Sequence, residues 1–168
     1  EFSRALWSPV RLLTRPTSPV FDNKRACAAA EAWVKRTTPE TRKPGDLYIL
    51  TKLAMCDLGQ YDTPPSAAPP KAKQLEALAL LSLPEVKSDP FAQSNLAWLL
   101  LRQGDVFDPV AGCHTVENWA ALVGTDPVEI GLLNPVTAVQ FADCLQGLFP
   151  GQAARTPSSQ DMKLVFAL

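Results

Sequence analysis

The side chains with the most capacity for chemistry are His114 beside Cys113, three further cysteines at Cys27, Cys56 and Cys144, and four tryptophans, Trp7, Trp33, Trp98 and Trp119. An imidazole next to a thiol could act as a base or a metal ligand. A hydrolase, however, needs an orienting acid and a nucleophile around its histidine, and a metal site needs three or four ligands. The sequence places none of these beside His114, which reads as a solvated loop histidine. There is no C-x-x-C pair, glycine-rich phosphate loop, nucleophile elbow or pair of histidines at helical spacing. The expectation is a non-enzymatic chain with no catalytic residues, cofactor or metal.

The wide spacing of the cysteines leaves open whether they are buried thiols or bridges, and so leaves the compartment open. Cys27 and Cys56 lie level in an antiparallel helix pair turning near residues 41 and 42. If both face the helix interface, their Cα atoms fall within the roughly 7 Å that a bridge tolerates; in a reducing matrix they would stay thiols. Trp33 and Trp98 sit on apolar helix faces and read as core.

Trp7 has no helix face of its own. It lies in a basic segment where Arg4, Arg11, Arg15, Lys24 and Arg25 are set among serines and threonines, with no acid between Glu1 and Asp22. Phe2, Ala5, Leu6, Leu12 and Leu13 fall mostly on one side of a helix wheel and the arginines on the other, the pattern of a mitochondrial targeting segment. Residues 1–21 are therefore expected to form an extended N-terminal arm packed on another polypeptide, with Trp7, Arg4, Arg11 and Arg15 as partner-binding residues. A mitochondrial location on the matrix side follows from this reading.

Composition excludes other classes. The net charge of -1 argues against nucleic acid as a partner. The longest apolar run, Leu96 to Leu101, is far short of the roughly 20 residues that span a bilayer. At 168 residues and 46% hydrophobic, the chain can bury a core without staples.

The elements that position these residues read as helices. Sixteen prolines and eight glycines cut the chain into short segments with helical periodicity. Asp22 caps a first helix ending before Pro39; a second runs from Asp46 to Gly59, a left-handed stop. Residues 60–70 form a Pro-rich linker. Lys71 to Ser82 is a third helix, and Asp89-Pro90 opens a fourth that runs to Gly104 and carries the buried run. Thr115 caps a short helix, Val116 to Val123; Asp126-Pro127 and Asn134-Pro135 open two more, the last ending at Pro150-Gly151. Ser158 or Ser159 caps a final turn or two. The architecture expected is all-α: helical hairpins at 22–59, 71–104 and 115–150, with a C-terminal helix at 158–168, in a small α-solenoid or irregular bundle. No repeat signature recurs between the hairpin starts near 22, 71 and 115.

Residues 113–152 resemble a LysM domain in His114-Thr115-Val116, the helix Trp119 to Val123, Leu133-Asn134-Pro135, Leu145 and Gly151-Gln152. That resemblance implies two helices on a two-stranded sheet and a secreted or periplasmic glycan binder. By organisation, a basic arm followed by three helical hairpins, the whole chain is similar to the pentatricopeptide-like extra subunit on the catalytic head of euglenozoan mitochondrial ATP synthase. This implies a non-catalytic accessory subunit held by other protein subunits of a larger complex, and transfers no functional residue. An enzyme is the third alternative.

Overall fold

The computed structural model describes residues 10, 13, 20, 22–43, 47–61, 69–123 and 135–166. Among them the structure is all-helical, without a strand: α1 Asn23–Val34, α2 Leu47–Asp57, α3 Lys71–Leu81, α4 Pro90–Leu101, α5 Pro109–Val123, α6 Pro135–Leu145 and α7 Ser159–Phe166. The chain divides into two compact units, Glu1–Glu85 and Val86–Leu168. Helices α3 and α4, expected to pair across 71–104, thus belong to different units. In the first unit α2 packs on both α1 and α3; in the second, α4, α5 and α6 pack on one another and α7 packs on α6.

In the first unit, Asp22 has extended backbone, and its carboxylate accepts from the Arg25 amide at 3.0 Å, starting α1. One face of α1 buries Ala26, Ala30 and Trp33. Facing α2 supplies Ile49, Leu50, Ala54 and Met55, and Leu58 follows it, all buried. The Arg42 guanidinium lies 5.7 Å from the Trp33 ring centroid and donates to Glu85 at 3.0 Å, closing polar contacts over the indole. In the expected arm, Val10 and Leu13 have helical backbone and are buried, and the Leu13 carbonyl accepts from the Asp22 amide at 2.9 Å. These two residues pack within the chain itself. Arg4, Trp7, Arg11 and Arg15 lie outside the described residues, as do Asp46, Asp126 and most of the linker.

The second unit has a core of Ala97, Leu101, Cys113, Val116, Trp119, Ala120, Val123, Ala138, Phe141, Cys144, Leu145 and Leu164. The buried run is as expected except for Trp98, which is half-buried with Arg102 4.5 Å from its ring centroid. Helix α5 begins earlier than the sequence reading has it. Asp108 accepts from the Ala111 amide at 3.0 Å, and Asp108-Pro109 starts the helix as Asp89-Pro90 starts α4. Thr115 is therefore mid-helix, its hydroxyl donating to the Ala111 carbonyl at 2.8 Å, and His114 is an exposed helical residue rather than a loop one. Gly112 permits a close approach of helices: a Cβ there would lie 2.6 Å from Leu101 Cδ2. Cys113 to Val116 are helical, and among the described residues of 113–152 there is no strand, where the LysM resemblance implies a two-stranded sheet.

The two units repeat one another. Val20-Phe21-Asp22, Cys27, Glu31 and Trp33 recur at a constant interval as Val106-Phe107-Asp108, Cys113, Glu117 and Trp119; Ala54, Cys56 and Gly59 recur two residues later in phase as Ala142, Cys144 and Gly147. The Asp108 amide donates to Leu100 O at 3.0 Å and the Asp22 amide to Leu13 O at 2.9 Å, similar bonds one residue out of register. Both second helices end in the same Schellman stop: Gly59 and Gly147 have φ of 66° and 67°, Gln60 N donates to Met55 O at 3.1 Å, and Leu148 N to Asp143 O at 3.0 Å. This repeat, which the expected hairpin starts do not reveal, has the pattern of a tandem duplication of a module in which a helix pair and a trailing helix follow in order, α1–α2–α3 and α5–α6–α7.

Candidate functional site

Each module is fastened by a disulfide at the same place. Cys27 on α1 bonds to Cys56 on α2 with Cα atoms 5.8 Å apart, and Cys113 on α5 to Cys144 on α6 at 5.6 Å; the sequence separations are 29 and 31. The first pair is the level pair of the sequence reading, joined as a bridge and not held as thiols. The second pair brings together two cysteines for which the sequence suggested no pairing. The duplicated register would have signalled it.

One cation in each module ties the trailing helix down. Lys73 of α3 reaches Asp57 at 2.9 Å and Glu76 at 2.6 Å. Both hydrogen bonds raise the Lys73 amine above its usual range, while burial raises the Asp57 carboxyl despite that partner. In the second module Arg155 donates to Asp161 at 2.7 Å and to Glu117 at 3.3 Å. Asp161 also accepts from the Ser158 amide at 2.8 Å while its own amide donates to the Ser158 hydroxyl at 3.1 Å, a reciprocal cap for α7. The Arg155 hydrogen bond holds the Asp161 carboxyl below the ordinary carboxylate range.

A groove of about 200 Å³ lies over this cluster, floored by Ala120, Phe141 and Leu164 and rimmed by Glu117, Arg155 and Asp161. The Asp161 carboxylate is taken up by the Arg155 guanidinium and the Ser158 amide, and the Ser158 hydroxyl accepts from the Asp161 amide. Among the described residues no cluster of three histidines, cysteines or carboxylates could hold a metal ion.

Lys52 is the other chemically distinctive group. It sits on α2 at 4% exposure, with Nζ 3.1 Å from the Tyr61 ring centroid and 3.3 Å from Asn23 Oδ1. Burial lowers its pKa to about 8 and raises the Tyr61 phenol to about 12. Because the folded value lies below that of the unfolded chain, the folded state bears the burial penalty below pH 8 and is relieved of it as pH rises toward 10. Stability of the oxidised full chain is therefore expected to increase by about 1 to 2 kcal/mol between pH 7.5 and 9.5 relative to a Lys52→Met variant. Denaturant titrations of both proteins at the two pH values check this; parallel pH dependences would show that Lys52 is not the group responsible.

Comparison with known protein families, with curated proteins and with solved structures finds no match to this chain.

Proposed function

We propose that this chain is a non-catalytic structural subunit that docks on a larger protein assembly of the mitochondrion. The observation that carries the proposal is what the duplication kept. The positions identical in the two modules include a Val-Phe pair before a helix cap, the cap itself, the disulfide pair, a core tryptophan, an alanine of the second helix, a helix stop and one exposed glutamate, Glu31 or Glu117. The groups able to do chemistry, His114, Lys52 and the Arg155–Asp161 cluster, each occur in one module only. A duplicated enzyme would be expected to repeat its reacting groups in at least one recognisable pair; a duplicated scaffold repeats its frame.

The bridges bear on the compartment as well. Structural disulfides persist where the surroundings are oxidising and are rare where thiols are kept reduced. For a mitochondrial chain this favours the intermembrane space over the matrix side suggested by the basic segment, and so weakens the catalytic head of ATP synthase as the particular partner. ATP synthase remains the narrower form of the proposal.

The test is isolation of the full chain from its own organism under thiol-blocking conditions, followed by native electrophoresis and mass spectrometry. The expected result is migration with a high-mass assembly, with both bridges intact and a reproducible set of partner subunits. Recovery of the chain as a free monomer, or in a secreted fraction, would overturn the proposal.

A further inference from the structure

The two bridges occupy equivalent positions but different surroundings, and each module serves as the other's control. Cys27 and Cys56 are half-buried, whereas Cys113 and Cys144 are 3% and 7% exposed and lie within the second core with Trp119 and Phe141. The charges differ in the same direction. One turn from Cys27 along α1 stands Lys24, and one turn from Cys56 along α2 stands Lys52; residues at that spacing share a helix face. Their counterparts beside the second bridge are Val110 and Gln140, both uncharged. The acids do not reverse this contrast. Glu31 and Glu117 stand at the same place in both modules, and Asp57 and Asp143 each adjoin one cysteine of their own bridge.

We propose that Cys27–Cys56 is the redox-responsive bridge of this protein: a dithiol reductant opens it while Cys113–Cys144 stays closed, so that α1 is released from α2 in the first module alone. Thiol–disulfide exchange requires an attacking thiolate to reach a sulfur, and it is faster when the departing sulfur is stabilised as a thiolate. Exposure meets the first requirement, and Lys24, an exposed cation one turn from Cys27, meets the second. In the first step a thiolate of the reductant bonds to one sulfur of the bridge, and the other sulfur leaves as a thiolate. In the second step the remaining thiol of the reductant, as thiolate, displaces the protein sulfur from the mixed disulfide. Two electrons pass to the bridge, the reductant closes as its own disulfide, and the protein is left with two thiols at Cys27 and Cys56. The second module repeats the same fold with its sulfurs enclosed and without the lysines, so it keeps the chain partly folded while the first module opens.

The experiment uses the oxidised full chain under native conditions, treated with dithiothreitol. Samples quenched in acid over time are alkylated, and each cysteine is quantified by peptide mass spectrometry. Cys27 and Cys56 are expected to be labelled about tenfold or more faster than Cys113 and Cys144. Backbone amide exchange in α1 and α2 should rise in step with the labelling while α5 and α6 stay protected. In denaturing guanidinium the ratio of the two rates should collapse toward unity, because the exposure difference belongs to the fold. Equal rates under native conditions, faster opening of Cys113–Cys144, or an undiminished ratio in denaturant would each overturn the proposal.

Discussion

Replacing Trp119 with alanine is expected to destabilise the second module by about 3 to 5 kcal/mol, and Trp33→Ala to do the same to the first. Both indoles are fully enclosed, at 0% exposure, and each sits six residues after the bridged cysteine of its helix. Removing a ring from that position leaves a cavity beside the staple, where the helix pair is least able to collapse around it. Each indole Nε1 is buried without a hydrogen-bond acceptor among the described residues. A phenylalanine would therefore keep most of the apolar contact and remove a polar group that has lost its water, so Trp→Phe at either site should cost about 1 kcal/mol or less. Denaturant unfolding gives the magnitudes, and peptide-resolved amide exchange gives their location. Loss of protection in Trp119→Ala should be confined to Val86–Leu168. A change spread evenly over both modules would mean that the repeat does not mark two units of stability.

The helices were legible because their ends are written in local chemistry. Asp22, Asp89-Pro90, Gly59 and Ser158 act at the ends where the sequence has them, since capping depends on a few consecutive residues whatever the tertiary context. The start of α5 was missed for a tertiary reason. Gly112 weakens a helix in isolation, and only the approach of Leu101 explains why glycine is required there. The duplication escaped because it is carried by a handful of scattered positions and is broken by a shift of two residues between the first and second helices. A search for hairpin starts aligns the wrong elements: the true repeat pairs residue 22 with 108, not with 71 or 115. The second bridge was hidden by the same misalignment. The groove rim depends on Arg155, outside any helix, reaching back to Glu117 and forward to Asp161, a convergence that no spacing rule anticipates.

Deleting the bridges tests how far the modules depend on their staples. A closed loop of about 30 residues restricts the unfolded chain enough to contribute about 3 to 4 kcal/mol, and with separations of 29 and 31 the two bridges should contribute nearly equally by this route. The paired variants Cys27→Ala with Cys56→Ala, and Cys113→Ala with Cys144→Ala, are the appropriate comparison, because they leave neither an odd thiol nor a buried hydroxyl. The equality should be broken by packing. Cys113 and Cys144 are part of the apolar core between α5 and α6, so their removal also takes buried sulfur away from Trp119 and Phe141, whereas the half-buried first pair gives up less contact. The second pair is therefore expected to be the more damaging by about 1 kcal/mol, within a total of about 4 to 5 kcal/mol. Small helical modules with only a few kcal/mol to spare should then open first in the helix pair that has lost its bridge, α1 and α2 in one variant and α5 and α6 in the other. Thermal melts followed by amide exchange distinguish the cases. Unchanged midpoints in both variants would show that the bridges merely decorate helix pairs already held by Trp33 and Trp119; a greater loss from the first pair would show that exposure, not core packing, sets the value of a staple in this fold.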